Sequence, residues 1–129
     1  MHKVMLSLAL LLAASGSAQA ADQVRTVPTG QNRRIDFFAS VNPDCSSDGL
    51  PTVRLVEGPT NGVVTTDKAR DFMPFAKANI RSKCNGRRVA GLKLFYQSTT
   101  EFLGVDRVRL IVISASGGER EATYLIQVK

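Results

Sequence analysis

Few side chains of this sequence are of the types that act as acids, bases or metal ligands. Its only histidine is His2, and a hydrolytic triad needs a base that accepts a proton near neutral pH, most often histidine. Two carboxylate pairs remain, Asp67 with Asp71 and Glu119 with Glu121, and both lie in polar segments where solvated ion pairs are expected. The sequence contains no nucleophile elbow, phosphate loop or dinucleotide fingerprint. We therefore predict no enzyme activity, no cofactor and no metal site.

The N-terminal residues have the pattern of an export signal. Met1–Lys3 carries a positive charge, Val4–Ala14 is apolar, and Ser15–Ala20 ends in Ala-Gln-Ala, which signal peptidase recognises. Cleavage after Ala20 would remove the histidine and leave 129 − 20 = 109 residues, a single domain over 21–129. No later apolar run approaches the roughly 20 residues of a membrane span. The sequence thus predicts a periplasmic or secreted protein without a transmembrane segment.

The two cysteines, Cys45 and Cys84, are predicted to form a disulfide. An even cysteine count in an exported chain favours pairing in an oxidising compartment. The closed loop has about forty residues, for which the chain-entropy model gives ~4 kcal/mol of stabilisation. Free thiols or a redox pair are the alternatives, although the spacing is not Cys-x-x-Cys and no histidine of the exported chain completes a zinc site.

Positive charge is concentrated in one part of the chain. Without the signal the net charge is 16 − 11 = +5, and no acidic residue lies between Asp71 and Glu101. This basic segment is the candidate contact surface for lipopolysaccharide, an acidic envelope polymer or an acidic protein, with a solvated face as the alternative. Nucleic acid is not expected, because aromatic residues do not alternate with the cations. The candidate anion-binding residues are Lys77, Arg81, Lys83, Arg87, Arg88 and Lys93.

Alternating apolar residues predict an all-β fold. Ile35–Val41 and Val89–Gln97 are strands of period two. We expect two hairpins, one over residues 52–66 around a Gly-Pro-Thr-Asn-Gly turn and one over residues 105–128 around Ser-Gly-Gly-Glu. Residues 67–88 are predicted to form an irregular loop that two phenylalanines, Phe72 and Phe75, attach to the core. Together these elements predict a sandwich of six to seven short antiparallel strands with almost no helix.

A motif around the second hairpin resembles the immunoglobulin-like and cadherin-like extracellular repeats of bacteria. The stretch from Tyr96 to Leu110 is similar to their Y-x-P-x-x-x-F-x-G-x-D-x-F-x-Y pattern, and residues 59–62 are similar to their P-x-x-G turn. Ser98 replaces the usual proline, and Val108 and Leu110 replace aromatic residues. The resemblance implies a small immunoglobulin-like sandwich. Its motif residues are Pro59, Gly62, Tyr96, Phe102, Gly104 and Asp106.

Each motif residue has an expected structural task. Tyr96 should end one strand inside the core, and Phe102 should pack under the crossover between sheets. Asp106 should accept backbone N–H bonds at the corner before the next strand. The chain is also similar to a family of small exported proteins of unknown function, a similarity that adds no mechanism.

From these observations we expect an exported, non-enzymatic binding or structural module. A periplasmic enzyme inhibitor is one alternative. An envelope-polymer hydrolase is another, and it would need a buried carboxylate pair with perturbed pKa values in a cleft.

Overall fold

The computed structural model describes residues 22–129, and the predicted signal peptide lies outside them. The described part of the chain contains nine strands, one 3-10 helix and no α-helix. The strands are β1 (Gln23–Val27), β2 (Arg33–Phe38), β3 (Ser40–Val41), β4 (Ser47–Gly49), β5 (Thr52–Glu57), β6 (Gly62–Asp71), β7 (Val89–Ser98), β8 (Gly104–Ile113) and β9 (Glu119–Val128). The 3-10 helix is Ser82–Gly86.

The strands form two main sheets and one small one. A four-stranded sheet has the order β1-β9-β8-β5, and a three-stranded sheet has the order β2-β7-β6. β3 and β4 pair only with each other. All pairs are antiparallel except β1 with β9, which is parallel. The predicted all-β class is confirmed, and β1, β3 and β4 bring the number of strands above the expected six to seven.

The core lies between the two main sheets. Alternate residues of β8 and β9 point inward from the four-stranded sheet and meet the inward residues of β2 and β7. Both tyrosines of the chain are fully buried here. Because each buried apolar side chain contributes about 1.5–3 kcal/mol, this layer is the main source of stability. The core residues are Val27, Ile35, Phe38, Leu94, Tyr96, Val108, Leu110, Val112, Ala122, Tyr124, Ile126 and Val128.

One predicted hairpin is confirmed and the other is wrong. β8 and β9 pair along their whole length around a turn at residues 114–118. β5, however, pairs with β8, and β6 pairs with β7 in the other sheet. Residues 58–62 therefore form a crossover between sheets. The turn's amides at Thr60 and Asn61 donate to the carboxylate of Asp106, and this distant partner replaces a local hairpin ladder.

The segment predicted as an irregular loop starts five residues later than expected. β6 runs to Asp71 because its second half pairs with the first half of β7. In this part of the ladder Asp67 lies opposite Lys93, and Asp71 lies opposite Val89. Residues 72–88 lie outside the sheets, and the 3-10 helix Ser82–Gly86 is their one regular element. This segment, which we call the strap, crosses the outer face of the three-stranded sheet. Phe75 packs there, whereas Phe72 is 46% exposed, so only one of the two predicted phenylalanines attaches the segment by burial.

The strap covers a second, smaller apolar cluster. The strand predicted over Ile35–Val41 divides at Ala39, and a register shift occurs at Ile35. Ile35 therefore joins the main core while Phe37 faces outward, so the predicted single apolar face is wrong. We call the outward group the outer cluster. It consists of Phe37, Val41, Cys84 and Val89, with Ala39, Cys45, Met73 and Phe75 packed against them.

Gly91 marks the closest approach between β7 and β2. A Cβ at this position would lie 2.3 Å from the carbonyl oxygen of Phe38 and 2.6 Å from the ring of Phe37. Backbone cannot move aside as a flexible side chain can, so we expect Gly91→Ala to lower the free energy of unfolding by about 3 kcal/mol. Urea unfolding followed by circular dichroism measures this change.

Gly86 provides the matched control, because a Cβ there would meet no atom within 4 Å. Gly86→Ala should change the free energy of unfolding by less than about 0.5 kcal/mol. Equal unfolding midpoints for the two variants would contradict the tight packing of β7 on β2.

Candidate functional site

The predicted disulfide is confirmed and anchors the strap. The sulfur atoms of Cys45 and Cys84 are 2.10 Å apart and the Cα atoms 5.4 Å apart. Within residues 22–129 no cysteine is free. Cys84 is fully buried in the 3-10 helix, and Cys45 lies in the loop between β3 and β4. The bond thus fixes the end of the strap against a loop that is 39 residues earlier in the chain.

The six predicted basic residues do not all have the same environment. Lys77, Lys83, Arg87 and Arg88 are exposed. Arg81 is half-buried, and its Nε donates to the carbonyl oxygen of Val41 at 2.7 Å, which ties the strap to β3. The sixth residue, Lys93, lies within β7 rather than in the strap.

Lys83 has an acidic neighbour in the loop that the disulfide joins to the strap. The pKa of Asp44 is lowered chiefly by hydrogen bonds from Ser46, and the positive charge of Lys83 adds to this effect. This neighbour reduces the anion-binding capacity expected of Lys83.

A compact group of cations surrounds Asp71 at the end of β6. The Asp71 carboxylate accepts a hydrogen bond from Nη1 of Arg34 and lies 3.8 Å from Nζ of Lys93. Its pKa is lowered first by the hydrogen bond from the backbone N–H of Phe72, and then by the charges of Arg34, Lys93 and Arg88. Arg34, Lys93 and Arg88 lie near two carboxylates, Asp71 and the Asp67 opposite Lys93 in the ladder, which leaves a local charge of 3 − 2 = +1.

Aromatic rings hold two of these cations in position. The guanidinium of Arg34 lies 5.5 Å from the centre of the Phe37 ring, and that of Arg88 lies 5.5 Å from the centre of the Phe72 ring. Cation–π contacts of this kind contribute about 0.5–1 kcal/mol at exposed sites. They also explain why Phe72 remains at the surface. The side chains of Arg34 and Lys93 are 41% and 32% exposed, so their charges remain accessible.

Arg70 adds a fourth cation beside this group. Its Nη2 donates to the carbonyl oxygen of Arg88 at 2.9 Å. We call the set of Arg34, Arg88 and Lys93 around Asp71 the basic cluster, and Arg70 supports it by holding the backbone of Arg88. Arg34 and Arg70 lie outside the basic segment of the sequence. Sequence reasoning missed them because β2 and β6 bring them to the strap only in the folded chain.

The motif residues of the second hairpin meet at a corner of the main core. Asp106, only 3% exposed, accepts a hydrogen bond from the hydroxyl of Tyr96, with 2.8 Å between the hydroxyl oxygen and Oδ2. It also accepts the backbone N–H groups of Thr60, Asn61 and Arg107 at 2.9, 3.0 and 2.9 Å. The carboxylate thus holds the crossover turn, β7 and β8 together.

Glycine and aromatic residues complete this corner. A Cβ on Gly62 would lie 2.8 Å from the Tyr96 ring, so the turn requires glycine at that position. Pro59 follows a cis peptide bond in the same turn, and Gly104 has a φ of 141° beside the ring of Phe102. Phe102 packs against the main core. Each motif residue therefore occupies a structural position.

A second tyrosine–carboxylate pair joins β9 of one main sheet to β2 of the other. The hydroxyl of Tyr124 donates to Asp36, and the guanidinium of Arg25 lies 5.5 Å from the Tyr124 ring. Nε of Arg25 donates to the carbonyl oxygen of Ile35 at 2.7 Å, which joins β1 to β2. The sequence pattern did not reveal this network, because its members are far apart in the chain.

One member of each carboxylate pair considered for catalysis lies in a surface ion pair. Asp71 belongs to the basic cluster, and Glu121 accepts a hydrogen bond from Arg109 at 3.0 Å. Among residues 22–129 no group of three or more His, Cys, Asp or Glu side chains is arranged to hold a metal ion. The same residues include no helix with the length and hydropathy of a membrane span.

Comparison of the chain with models of known protein families, with curated proteins and with solved structures found no match.

The two buried tyrosines predict a distinct alkaline titration. Burial, followed by the hydrogen bond to a carboxylate, raises the pKa of both Tyr96 and Tyr124 above the ordinary value of 10.0. A raised folded-state pKa means that the associated stability is present below pH 10 and is lost as the pH rises beyond it. Because the chain has no tryptophan and no other tyrosine, tyrosinate absorbance should appear only together with loss of the sheet signal in circular dichroism. Tyrosinate formation in the folded protein near pH 10 would contradict the burial of the two hydroxyls.

Removing one hydroxyl tests the corner directly. Tyr96→Phe deletes a hydrogen bond to a buried carboxylate, for which we expect a loss of about 2 kcal/mol in the free energy of unfolding. Tyr124→Phe is the comparison variant, because it makes the same chemical change at the half-buried Asp36. Chemical unfolding of both variants gives the two values, and an unchanged stability in Tyr96→Phe would exclude the corner as a stabilising element.

Proposed function

We propose that the protein is an exported, non-enzymatic binding module that contacts anionic components of the cell envelope through the basic cluster. The observation that carries this proposal is the surplus of fixed positive charge around Asp71. Asp71 pairs with Arg34 and Lys93, so the guanidinium of Arg88 and the remaining N–H groups of Arg34 can donate to other acceptors. Phosphate and carboxylate groups are the acceptors that a planar guanidinium binds best.

The rigidity of the cluster supports a binding role. Arg34 and Arg88 are each stacked on a phenylalanine, and the carbonyl oxygen of Arg88 is bound by Arg70. Less side-chain freedom is lost when an anion binds cations that are already held in place. A solvated surface whose only task is solubility has no need of such fixed positions.

The strand order supports the immunoglobulin-like character of the module. In that fold strands A, B, E and D form one sheet, and strands C, F and G form the other. Taking β2, β7 and β6 as B, E and D, and β5, β8 and β9 as C, F and G, gives both orders. β1 is then strand A, placed beside G. Such sandwiches have many unrelated functions, so the binding role rests on the cluster and not on the fold.

The alternatives receive less support from the geometry. A hydrolase of envelope polymers would use two carboxylates in one cleft, whereas Asp36 and Asp106 each bind a tyrosine hydroxyl. An enzyme inhibitor would use a surface that complements its target, and the basic cluster would direct it to an acidic partner protein.

Binding to lipopolysaccharide micelles tests the proposal. The double variant Arg88→Ala/Lys93→Ala removes two cations that are near the anionic surface. Each contributes about 1 kcal/mol at such a surface, so the affinity should fall by roughly thirtyfold at low salt. Added salt should weaken the binding of the unmodified protein more steeply than that of the variant.

The control variant loses the same charge elsewhere. Arg54 and Arg107 are exposed residues of the four-stranded sheet and, within residues 22–129, their side chains make no ion pair. Arg54→Ala/Arg107→Ala should retain the affinity to within a few-fold. If both double variants lost the same affinity for lipopolysaccharide, the binding would depend only on net charge, and a defined site would be refuted.

A further inference from the structure

A polar groove lies at one end of the sandwich, away from the charges of the basic cluster. Three chain segments form it: the region of β3 and β4, the strap, and the turn between β8 and β9. Its volume is about 410 Å³, within the usual range for small-molecule sites. It is lined by Ala39, Ser40, Val41, Asn42, Asp48, Phe75, Asn79, Arg81, Ser114 and Ser116.

A second depression continues the groove. It has a volume of about 170 Å³ and shares Ala39, Ser40 and Ser114 with the first. Its base is formed by the buried residues Phe38, Pro51 and Val112, and the guanidinium of Arg120 lies over the Phe38 ring at 5.2 Å from its centre, with Glu119 beside it. Two adjoining depressions on a common floor suit an elongated ligand built from similar units.

The walls of the groove are held in place by contacts within the protein. Both backbone groups of Phe75 are hydrogen-bonded at 2.9 Å to the side-chain amide of Asn85. Arg81 is fixed by its bond to Val41, and the side-chain oxygen of Asn79 accepts the N–H of Arg81 at 2.8 Å. The Cys45–Cys84 bond joins two of the three walls. A site that is already ordered loses little entropy when a ligand binds.

The groups that remain available in the groove are mixed donors and acceptors with balanced charge. Within residues 22–129 the carboxylate of Asp48 makes no hydrogen bond or ion pair, and it can accept two hydroxyl groups. The terminal nitrogens of Arg81 and the amide nitrogen of Asn79 can donate. One carboxylate and one guanidinium line the larger depression, so the groove has no preference for a charged ligand.

Three backbone groups at the groove are already paired within the protein. The carbonyl oxygen of Val41 accepts from Arg81, the N–H of Asn42 donates to Ser46, and the N–H of Ala115 donates to Ser40. A peptide that added a strand would need free N–H and C=O groups along an edge. These pairings favour recognition of a ligand by side chains.

We propose that the groove binds a neutral oligosaccharide. Sugar hydroxyls both donate and accept, which matches the carboxylates, amides and guanidinium groups of Asp48, Asn79 and Arg81 in the first depression and of Glu119 and Arg120 in the second. The apolar face of a sugar ring matches the half-buried ring of Phe75. The site is separate from the basic cluster and does not depend on the anion-binding proposal. Its two depressions would hold adjacent sugar units.

Isothermal titration with neutral tetrasaccharides tests this proposal. Chitotetraose, cellotetraose and maltotetraose differ in linkage and substituents, and at least one should bind more tightly than its own monosaccharide by tenfold or more. Asp48→Ala should weaken that binding at least tenfold, because it removes the unpaired acceptor. Ser116→Trp places a bulky side chain over the groove from an exposed turn position and should abolish binding.

Two controls separate the possible outcomes. Both variants must keep the circular dichroism and unfolding midpoint of the unmodified protein, which is expected because Asp48 and Ser116 are exposed. Arg88→Ala/Lys93→Ala should bind the tetrasaccharide normally while it loses lipopolysaccharide. The proposal is overturned if none of the tetrasaccharides binds at millimolar concentration, or if binding is unchanged in Asp48→Ala and Ser116→Trp.

Discussion

The disulfide between Cys45 and Cys84 is the constraint on which both candidate surfaces depend. It joins the strap to the loop between β3 and β4, two segments that belong to no main sheet. Phe72 and Arg88, near the two ends of the strap, take part in the basic cluster. Phe75 and Arg81, in its middle, line the groove. Without the bond, the fold would lose the ~4 kcal/mol that closing the loop between Cys45 and Cys84 contributes, and the strap would be held only by the outer cluster and the hydrogen bonds of Arg81 and Asn85.

The sandwich and the strap are stabilised in different ways. The main core is apolar and is locked at two places by a buried tyrosine that donates to a carboxylate, Tyr96 to Asp106 and Tyr124 to Asp36. The strap has few buried residues and is held by the disulfide, by Asn85 and by Arg81. This division keeps a rigid scaffold beneath a surface segment whose polar residues are directed to solvent. Binding residues are commonly placed on loops that a rigid scaffold positions.

Sequence patterns predicted the parts of the fold that depend on neighbouring residues. The alternation of β8 and β9 and the turn between them are local, and so the hairpin was predicted correctly. The disulfide was predicted from the expected export of the chain and from its cysteine count, and the structure confirms the bond. The hairpin over residues 52–66 was wrong because the partner of its turn, Asp106, lies about 45 residues away. β6 was predicted too short because its charged second half has no apolar alternation and is ordered only by pairing with β7.

The candidate sites were harder to predict for the same reason. The basic segment pointed to Arg88 and Lys93, but Arg34 reaches Asp71 across 37 residues of sequence. Arg81 has the same charge as its neighbours in the sequence, yet its contact with Val41 gives it a structural task. The groove is formed by three segments that no spacing rule connects. In each case the sequence identifies the residue types, and the pairing of distant strands determines which of them meet.

The most direct test of this account is hydrogen exchange of the variant Cys45→Ala/Cys84→Ala, measured where its sheet signal in circular dichroism equals that of the unmodified protein. The account predicts that amides of residues 72–88 lose protection while those of β7, β8 and β9 keep it, and that affinity for lipopolysaccharide falls with the loss of order. Full protection of residues 72–88 in the variant, with unchanged lipopolysaccharide affinity, would contradict the central role of the disulfide.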